Sequence, residues 1–435
     1  MKLVSKTQLN GIKILIREYY ILKIKYKKFK SSLLSSLFYQ VSLTAISRII
    51  GLFNSIYAVK TLGSYNIGLT NLIQTSVTQT SIVYDGGLNN VGIRKIVETN
   101  EKNLEIGFQI LSFRLFFGLL CSVFWITAIL VIKPHNLSIW YLGAIGIILA
   151  SLDFSFFFRA INKFNLFITI FSLAPFITAI LYRIFLYDNT QVGLDYLIYL
   201  ISTFCISAII IAYIILKYGN PFKNFFNFKA FKRLYIDHRH LWISSAIGII
   251  YPSLQVFTIS YLLGLSQNGI YKASLIFLAP FELLNFLLSG TILPIISKWK
   301  ELGIKQFKIN VNKMFYNLIL VLLPLTILIL FIPENFISML IGKKYIFSIW
   351  VFKIALLGKI FILTFSPFYY TIIANRHDNL NLKLSVLNSV VNIFLCFTLI
   401  PFLGIIGASI SMMSCDLLIS ILSFIKFKKI KQINY

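Results

Sequence analysis

The stretch TLGSYNIGLTNLIQTSVTQTSIVYDGGLNNVGIRKIVETNE, residues 61–101, decides the fold. It opens on the turn Leu62-Gly63, runs uncharged to Tyr84, and meets Asp85-Gly86-Gly87 before Arg94-Lys95. The pattern returns at 262–301 as LLGLSQNGIYKASLIFLAPFELLNFLLSGTILPIISKWKE. Gly63 and Gly68 fall against Gly264 and Gly269, and Lys95 and Glu98 against Lys298 and Glu301. An echo at half the chain length implies two lobes built on one plan.

Working outward, the 435 residues are 58% hydrophobic with a mean hydropathy of +0.82. Runs of about 20 apolar residues recur, the length a helix needs to cross ~30 Å of hydrocarbon. The chain therefore reads as an all-α polytopic membrane protein. Cys121, Cys205, Cys396 and Cys415 all lie inside apolar runs, as small core residues rather than a disulfide framework. The first apolar run begins only near Leu33 and no small-x-small cleavage site follows, so a cleavable signal peptide is not expected.

Twelve spans are expected, at 33–59, 67–91, 107–132, 138–158, 165–186, 194–216, 241–263, 273–296, 314–332, 346–373, 384–402 and 404–425. Of the 41 Lys and Arg residues, 31 fall in the N-terminal segment and after even-numbered spans, and 5 after odd-numbered ones. Lys60, Lys133, Lys272, Lys343 and Lys344 are those five. This asymmetry places both termini in the cytoplasm. It also assigns the net charge of +27 to the inner leaflet, which removes a nucleic-acid reading.

Residues 1–32 carry nine basic residues and one Glu, in a segment amphipathic enough to lie on an anionic membrane or to remain a solvated tail. The basic loop 218–240, beginning after the first lobe (33–217), separates it from the second (241–425), and a basic tail occupies 426–435. Six spans per lobe return the chain to its starting side, so the lobes have parallel topology about an axis along the membrane normal.

These features resemble a known family. Six plus six spans, LGSYNIGLTNLIQ, DGGLNNVGIRK and LLGLSQNGIYKAS are similar to the Wzx-type O-antigen and polysaccharide flippases of the multidrug/oligosaccharidyl-lipid/polysaccharide exporter superfamily. The resemblance covers about 33–425. It implies two six-helix bundles around a central cleft in a bacterial cytoplasmic membrane. It further implies that an undecaprenyl-pyrophosphate-linked oligosaccharide moves from the cytoplasmic to the periplasmic leaflet by alternating access. A polysaccharide polymerase and a chain-length regulator are the partner proteins it suggests, beside membrane lipids. The basic extension 1–32 departs from the pattern.

Ionisable residues inside the expected spans include Arg48, Arg114, Arg183, Lys353, Lys359, Asp85, Asp153, Glu282 and Asp416. Each costs roughly 2.5–3.5 kcal/mol near a helix centre, so they face one another or a wet cavity. Arg48, Lys359, Arg114 and Lys353 are the candidate cationic contacts to a pyrophosphate head, by guanidinium fork or ammonium point charge. The bland alternative pairs them with Asp85, Glu282 or Asp416 as bridges between helices. Arg183, near the outer end of its span, can instead snorkel.

Glu282, Asp85 and Asp416 are the candidates for ion coupling, by H⁺ or Na⁺, or for a gate. Asp85 is placed to pair with Arg48 or Arg94. Lys353 and Lys359 lie about 240° apart around one helix, so Lys359, the deeper, is assigned to the cleft and Lys353 to a salt bridge. Pro252, Pro280, Pro294, Pro324 and Pro367 crowd the second lobe, where kinks can act as hinges. His238 and His240, flanking Arg239, offer too few ligands for a metal site. No nucleotide-binding, serine-hydrolase or zinc-peptidase signature occurs, and no other cofactor is implied. A small-cation antiporter of the same superfamily is the alternative transporter. A membrane polymerase or glycosyltransferase is the alternative enzyme, disfavoured by outer loops too short to carry its chemistry.

Overall fold

The glycines that open the two repeats turn the backbone in the same way. Gly63 interrupts a helix that otherwise runs Lys6–Tyr84, with φ 77° and ψ 174°, and Gly264 adopts φ 87° and ψ 169°. That region is closed to residues with a β-carbon, so the echo in sequence is an echo in conformation. The structure, a computed structural model, describes residues 6–89, 104–161, 163–219, 253–300, 303–375 and 378–430, with isolated positions between them.

Every regular element among the described residues is helical. The first half contains α1 (Lys6–Tyr84), α2 (Leu104–Ile132), α3 (Leu137–Ser151), α4 (Ser155–Ala160), α5 (Phe164–Phe171), α6 (Ala174–Phe185) and α7 (Leu194–Tyr218). The second contains α8 (Ser253–Leu262), α9 (Leu265–Ile276), α10 (Ala279–Trp299), α11 (Ile304–Leu330), α12 (Glu334–Ile341), α13 (Ser348–Ala374) and α14 (Asp378–Lys429). Eight helices among the described residues are long and apolar enough to cross a membrane. Two of these bend at glycine, α1 at Gly63 and α14 at Gly404, each joining two of the expected spans. This segmentation is consistent with twelve crossings in a multi-pass membrane protein.

Several boundaries differ from expectation, among them that of the helix expected from 314, which begins at Ile304. The helix expected to reach residue 91 ends at Tyr84, because Gly86 and Gly87 take φ 44° and 84° and turn the chain. The helix expected from 273 begins at Leu265, so Lys272 lies on a helix rather than in a loop. The polar run Ser266-Gln267-Asn268-Gly269 is helical because it packs against α1. Finally, the basic segment is continuous with the first span, since α1 starts at Lys6. His238, Arg239 and His240 lie outside the described residues.

The packed interior divides in a way that sets up the site. Two clusters centre on the first half, one around Ile110, Phe156 and Phe158, with Phe231 joining it from the segment after α7, and one around Ile73, Ile147 and Tyr196. Two more belong to the second half, around Tyr271 and Cys396 and around Phe307 and Phe368. A fifth is shared, joining Ala58, Val59 and Leu62 to Phe281, Tyr345, Phe352 and Leu356. In lipid, helix association rests on close van der Waals contact and small residues rather than on escape from water. The crossing of α1 and α9 obeys this. A β-carbon on Gly68 would overlap the Leu265 carbonyl, and one on Gly269 would overlap that of Ser64. Asn71 Nδ2 donates to Asn268 Oδ1 at 2.9 Å, and Asn268 Nδ2 donates to the Gly68 carbonyl at 2.9 Å. The two halves therefore meet, buried, at the end of the molecule marked by Gly63 and Gly264.

Candidate functional site

Lys359 sits on α13, two turns beyond Phe352, and its Nζ lies 3.0 Å from Oε1 of Glu282 in the first turn of α10. Helix α10 starts where it does because Phe277 and Leu278 form a turn and Pro280 follows, at a position where a missing N–H costs little. The Glu282 N–H donates to the Leu278 carbonyl at 3.0 Å, which holds the first turn against that break. The Lys359 side chain is 16% exposed and that of Glu282 44%, so the pair is buried on one side and open on the other.

Asp416 lies behind this pair. It is 3% exposed on α14, and a β-carbon at Gly358 would stand 3.0 Å from its Oδ2. The glycine beside Lys359 thus lets a second carboxylate approach the helix. Lys353 takes a different environment from the salt bridge expected for it: its Nζ lies 5.5 Å from the centre of the Trp350 ring. The ion pair falls to Lys359 instead, because Glu282 is presented to the helix face bearing it.

Arg114 is only 2% exposed. Its Nη1 donates to Asn89 Oδ1 at 2.8 Å and to the Asp153 carbonyl at 3.0 Å, and lies 3.8 Å from both Asp85 Oδ1 and Asp153 Oδ2. Asp85 therefore pairs with Arg114 rather than with Arg48, while Arg94 lies outside the described residues. The turn at Gly86-Gly87 carries Asp85 off the end of α1 and onto α2, and Asp153 reaches the same guanidinium from the α3–α4 break. Asp153 also accepts from the Ser155 N–H at 2.8 Å, capping α4. Arg48 is exposed on α1 and has no ion pair among the described residues. Arg183 lies 5.3 Å over the Tyr57 ring. The candidate cations thus do not converge: Lys359 and Asp416 cluster with Glu282, Arg114 and Asp85 form a separate clamp, and Arg48 stands apart.

Several residues in these arrangements were not singled out from sequence. Asn71 and Asn268 join the two halves, Asn89 bridges the clamp, and Thr70 Oγ1 donates to the buried Asp195 Oδ1 at 3.0 Å. The available signal was an uncharged polar residue inside an apolar run, and Asn71 and Asn268 both lie in the repeated stretch.

The sequence pattern of the family described as polysaccharide biosynthesis protein matches residues 33–300, more than half of the chain. This chain belongs to that family. It is 28% identical over 204 residues to the capsular polysaccharide biosynthesis protein CapF of Staphylococcus aureus, covering 47% of this chain and 51% of that protein. The match to an uncharacterized membrane protein of Methanocaldococcus jannaschii is 26% over 212 residues, covering 47% and 41%. The chain spans about half the length of the curated relatives it matches.

Among solved structures, the lipid II flippase MurJ in an inward closed conformation superposes with a TM-score of 0.70 at 15% identity, over 90% of this chain and 87% of that one. An inward-facing multidrug resistance transporter of the MATE family superposes with a TM-score of 0.63 at 11% identity, over 90% and 97%. The chain shares the fold of these two proteins.

Proposed function

We propose that this member of the polysaccharide biosynthesis family carries an undecaprenyl-pyrophosphate-linked oligosaccharide, such as an O-antigen or similar repeat unit, from the cytoplasmic to the outer leaflet. The lobes 33–217 and 241–425 rock about a site between them that opens to one side at a time. The observation that carries the reading is the Lys359–Glu282 pair, a cation and an anion 3.0 Å apart and open on one side within apolar helices. A charged pair facing hydrocarbon would be expensive, so the open side faces a polar cavity, and a lipid-linked pyrophosphate supplies the anion such a lysine accepts. Family membership, the MurJ-like fold and the CapF relationship support cargo of this class.

In this reading Arg114 and Asp85 serve as a fixed clamp near the end of α1, and Arg48 remains a second cationic contact on the other lobe. Glu282 and Asp416 are the acidic residues placed to answer a coupling ion. The exposed carboxylate of Glu282 is also what an antiporter of organic cations would use, and that is the alternative.

The test is a cell whose surface polysaccharide depends on this protein. Lys359→Ala should abolish surface polysaccharide and accumulate lipid-linked units inside, with the protein still in the membrane. Lys359→Arg should retain part of the activity. Normal export by Lys359→Ala would remove this lysine from the site, and loss of organic-cation efflux with normal export would favour the antiporter.

A further inference from the structure

Two carboxylates stand near Lys359, Glu282 paired with it and Asp416 against the neighbouring Gly358, and their placement differs. Asp416 is buried behind it against the backbone at Gly358, whereas Glu282 is the more exposed member of its pair and stands on the open side. An anion approaching Lys359 from the cavity therefore meets Glu282 first. Lys359 already holds the Glu282 carboxylate at 3.0 Å, so an incoming monoanion finds the ammonium occupied unless Glu282 moves away.

The local structure lets Glu282 move. It lies in the first turn of α10, just past the break at Phe277-Leu278, so its side chain rotates without unwinding a helix. The helix N-terminus offers positive potential to the carboxylate after it leaves Lys359. Displacement is then a matter of charge: a single phosphate exchanges one negative charge for another, while a pyrophosphate brings more charge and more acceptor oxygens to the same ammonium.

Resting on the proposed function, we propose that Glu282 is the specificity-determining residue of the head-group site. It occupies Lys359 as an internal anion in the empty carrier, yields to a pyrophosphate-bearing lipid, and holds the site against lipids with a single phosphate. The abundant phospholipids of the surrounding bilayer are excluded because the site is already filled by a carboxylate of matching charge, a device directed against the wrong ligand as much as toward the right one.

The experiment compares two soluble probes, farnesyl pyrophosphate and dihexanoylphosphatidylglycerol, a monophosphate lipid whose diester carries a single negative charge, titrated calorimetrically into purified protein in detergent. Wild type should prefer the pyrophosphate by about tenfold or more, the size of one charge-assisted hydrogen bond. Glu282→Gln, which keeps shape and removes charge, should bind the monophosphate more tightly than wild type and bring the two affinities within about threefold. Glu282→Asp should retain the preference, and Lys359→Gln should lose both probes. An unchanged ratio in Glu282→Gln, or parallel weakening of both probes, overturns the proposal and makes Glu282 a residue that merely positions Lys359. Normal binding by Lys359→Gln overturns the proposal and moves the head-group site elsewhere, leaving pyrophosphate cargo intact. Binding of neither probe by folded wild type overturns this proposal together with the pyrophosphate reading.

Discussion

At the scale of single residues, depth was legible in the sequence and partnership was not. The ionisable residues buried in apolar runs announced themselves by their cost. Which acid met which base depended on helix rotation and on breaks far away in the chain. Lys353 and Lys359 illustrate this: their 240° separation made different environments certain, yet Glu282 decided the outcome from another helix, through the turn at 277–278. Arg114 and Arg48 now separate by environment, and so do their variants. Arg114→Ala leaves Asp85 and Asp153 without their guanidinium and Asn89 without its donor, which costs about 3–5 kcal/mol for a buried pair broken on one side. It should lower the unfolding temperature in detergent and the amount of protein in the membrane. Arg48→Ala, at an exposed position, should leave both unchanged and reduce delivery of lipid-linked units, with Arg48→Lys intermediate. Equal loss of thermal stability in the two variants would contradict this division.

At the scale of elements, the repeat told most. Gly63 and Gly264, matched in sequence, share a backbone conformation, and Gly68 and Gly269 meet across the boundary between the halves. The breaks at 152–154, 172–173 and 277–278 were missed because none contains glycine or proline, and in the last two the proline, Pro175 and Pro280, stands two residues past the turn. The Asp153-x-Ser155 cap is the local feature that marks the first of them. The α1–α9 crossing seals one end of the molecule with backbone contact and the Asn71–Asn268 amide pair, while Gln79 hydrogen-bonds Ser253 farther along the same helix. If the lobes alternate, that crossing must part in each cycle. With the four native cysteines replaced, Asn71→Cys and Asn268→Cys joined by a short cleavable bifunctional thiol reagent should stop delivery, and cleaving the link should restore it. Delivery continuing in a fully cross-linked protein would show that this end stays closed throughout.

At the scale of the whole molecule, the all-helical class and the tie to polysaccharide biosynthesis were readable from hydropathy and motif, because those signals are distributed over hundreds of residues. The position of the site was not, because it rests on a few contacts between helices distant in sequence. The distribution of basic residues, 31 against 5, predicts cytoplasmic termini, and that orientation has its own check. A reporter active only outside the cytoplasm should be silent when fused after Tyr435 and active when fused near Asn189, and activity at Tyr435 would reverse the inner and outer ends. The central claim is that the protein moves a pyrophosphate-linked glycolipid between leaflets. It is tested most directly with purified protein in liposomes carrying a fluorescent undecaprenyl-pyrophosphate-linked saccharide, by measuring the fraction exposed to an impermeant quencher over time. The account predicts that this fraction rises with wild type and stays at its starting value with Lys359→Ala or empty liposomes. A fraction that stays the same for folded wild type and for empty liposomes would contradict it.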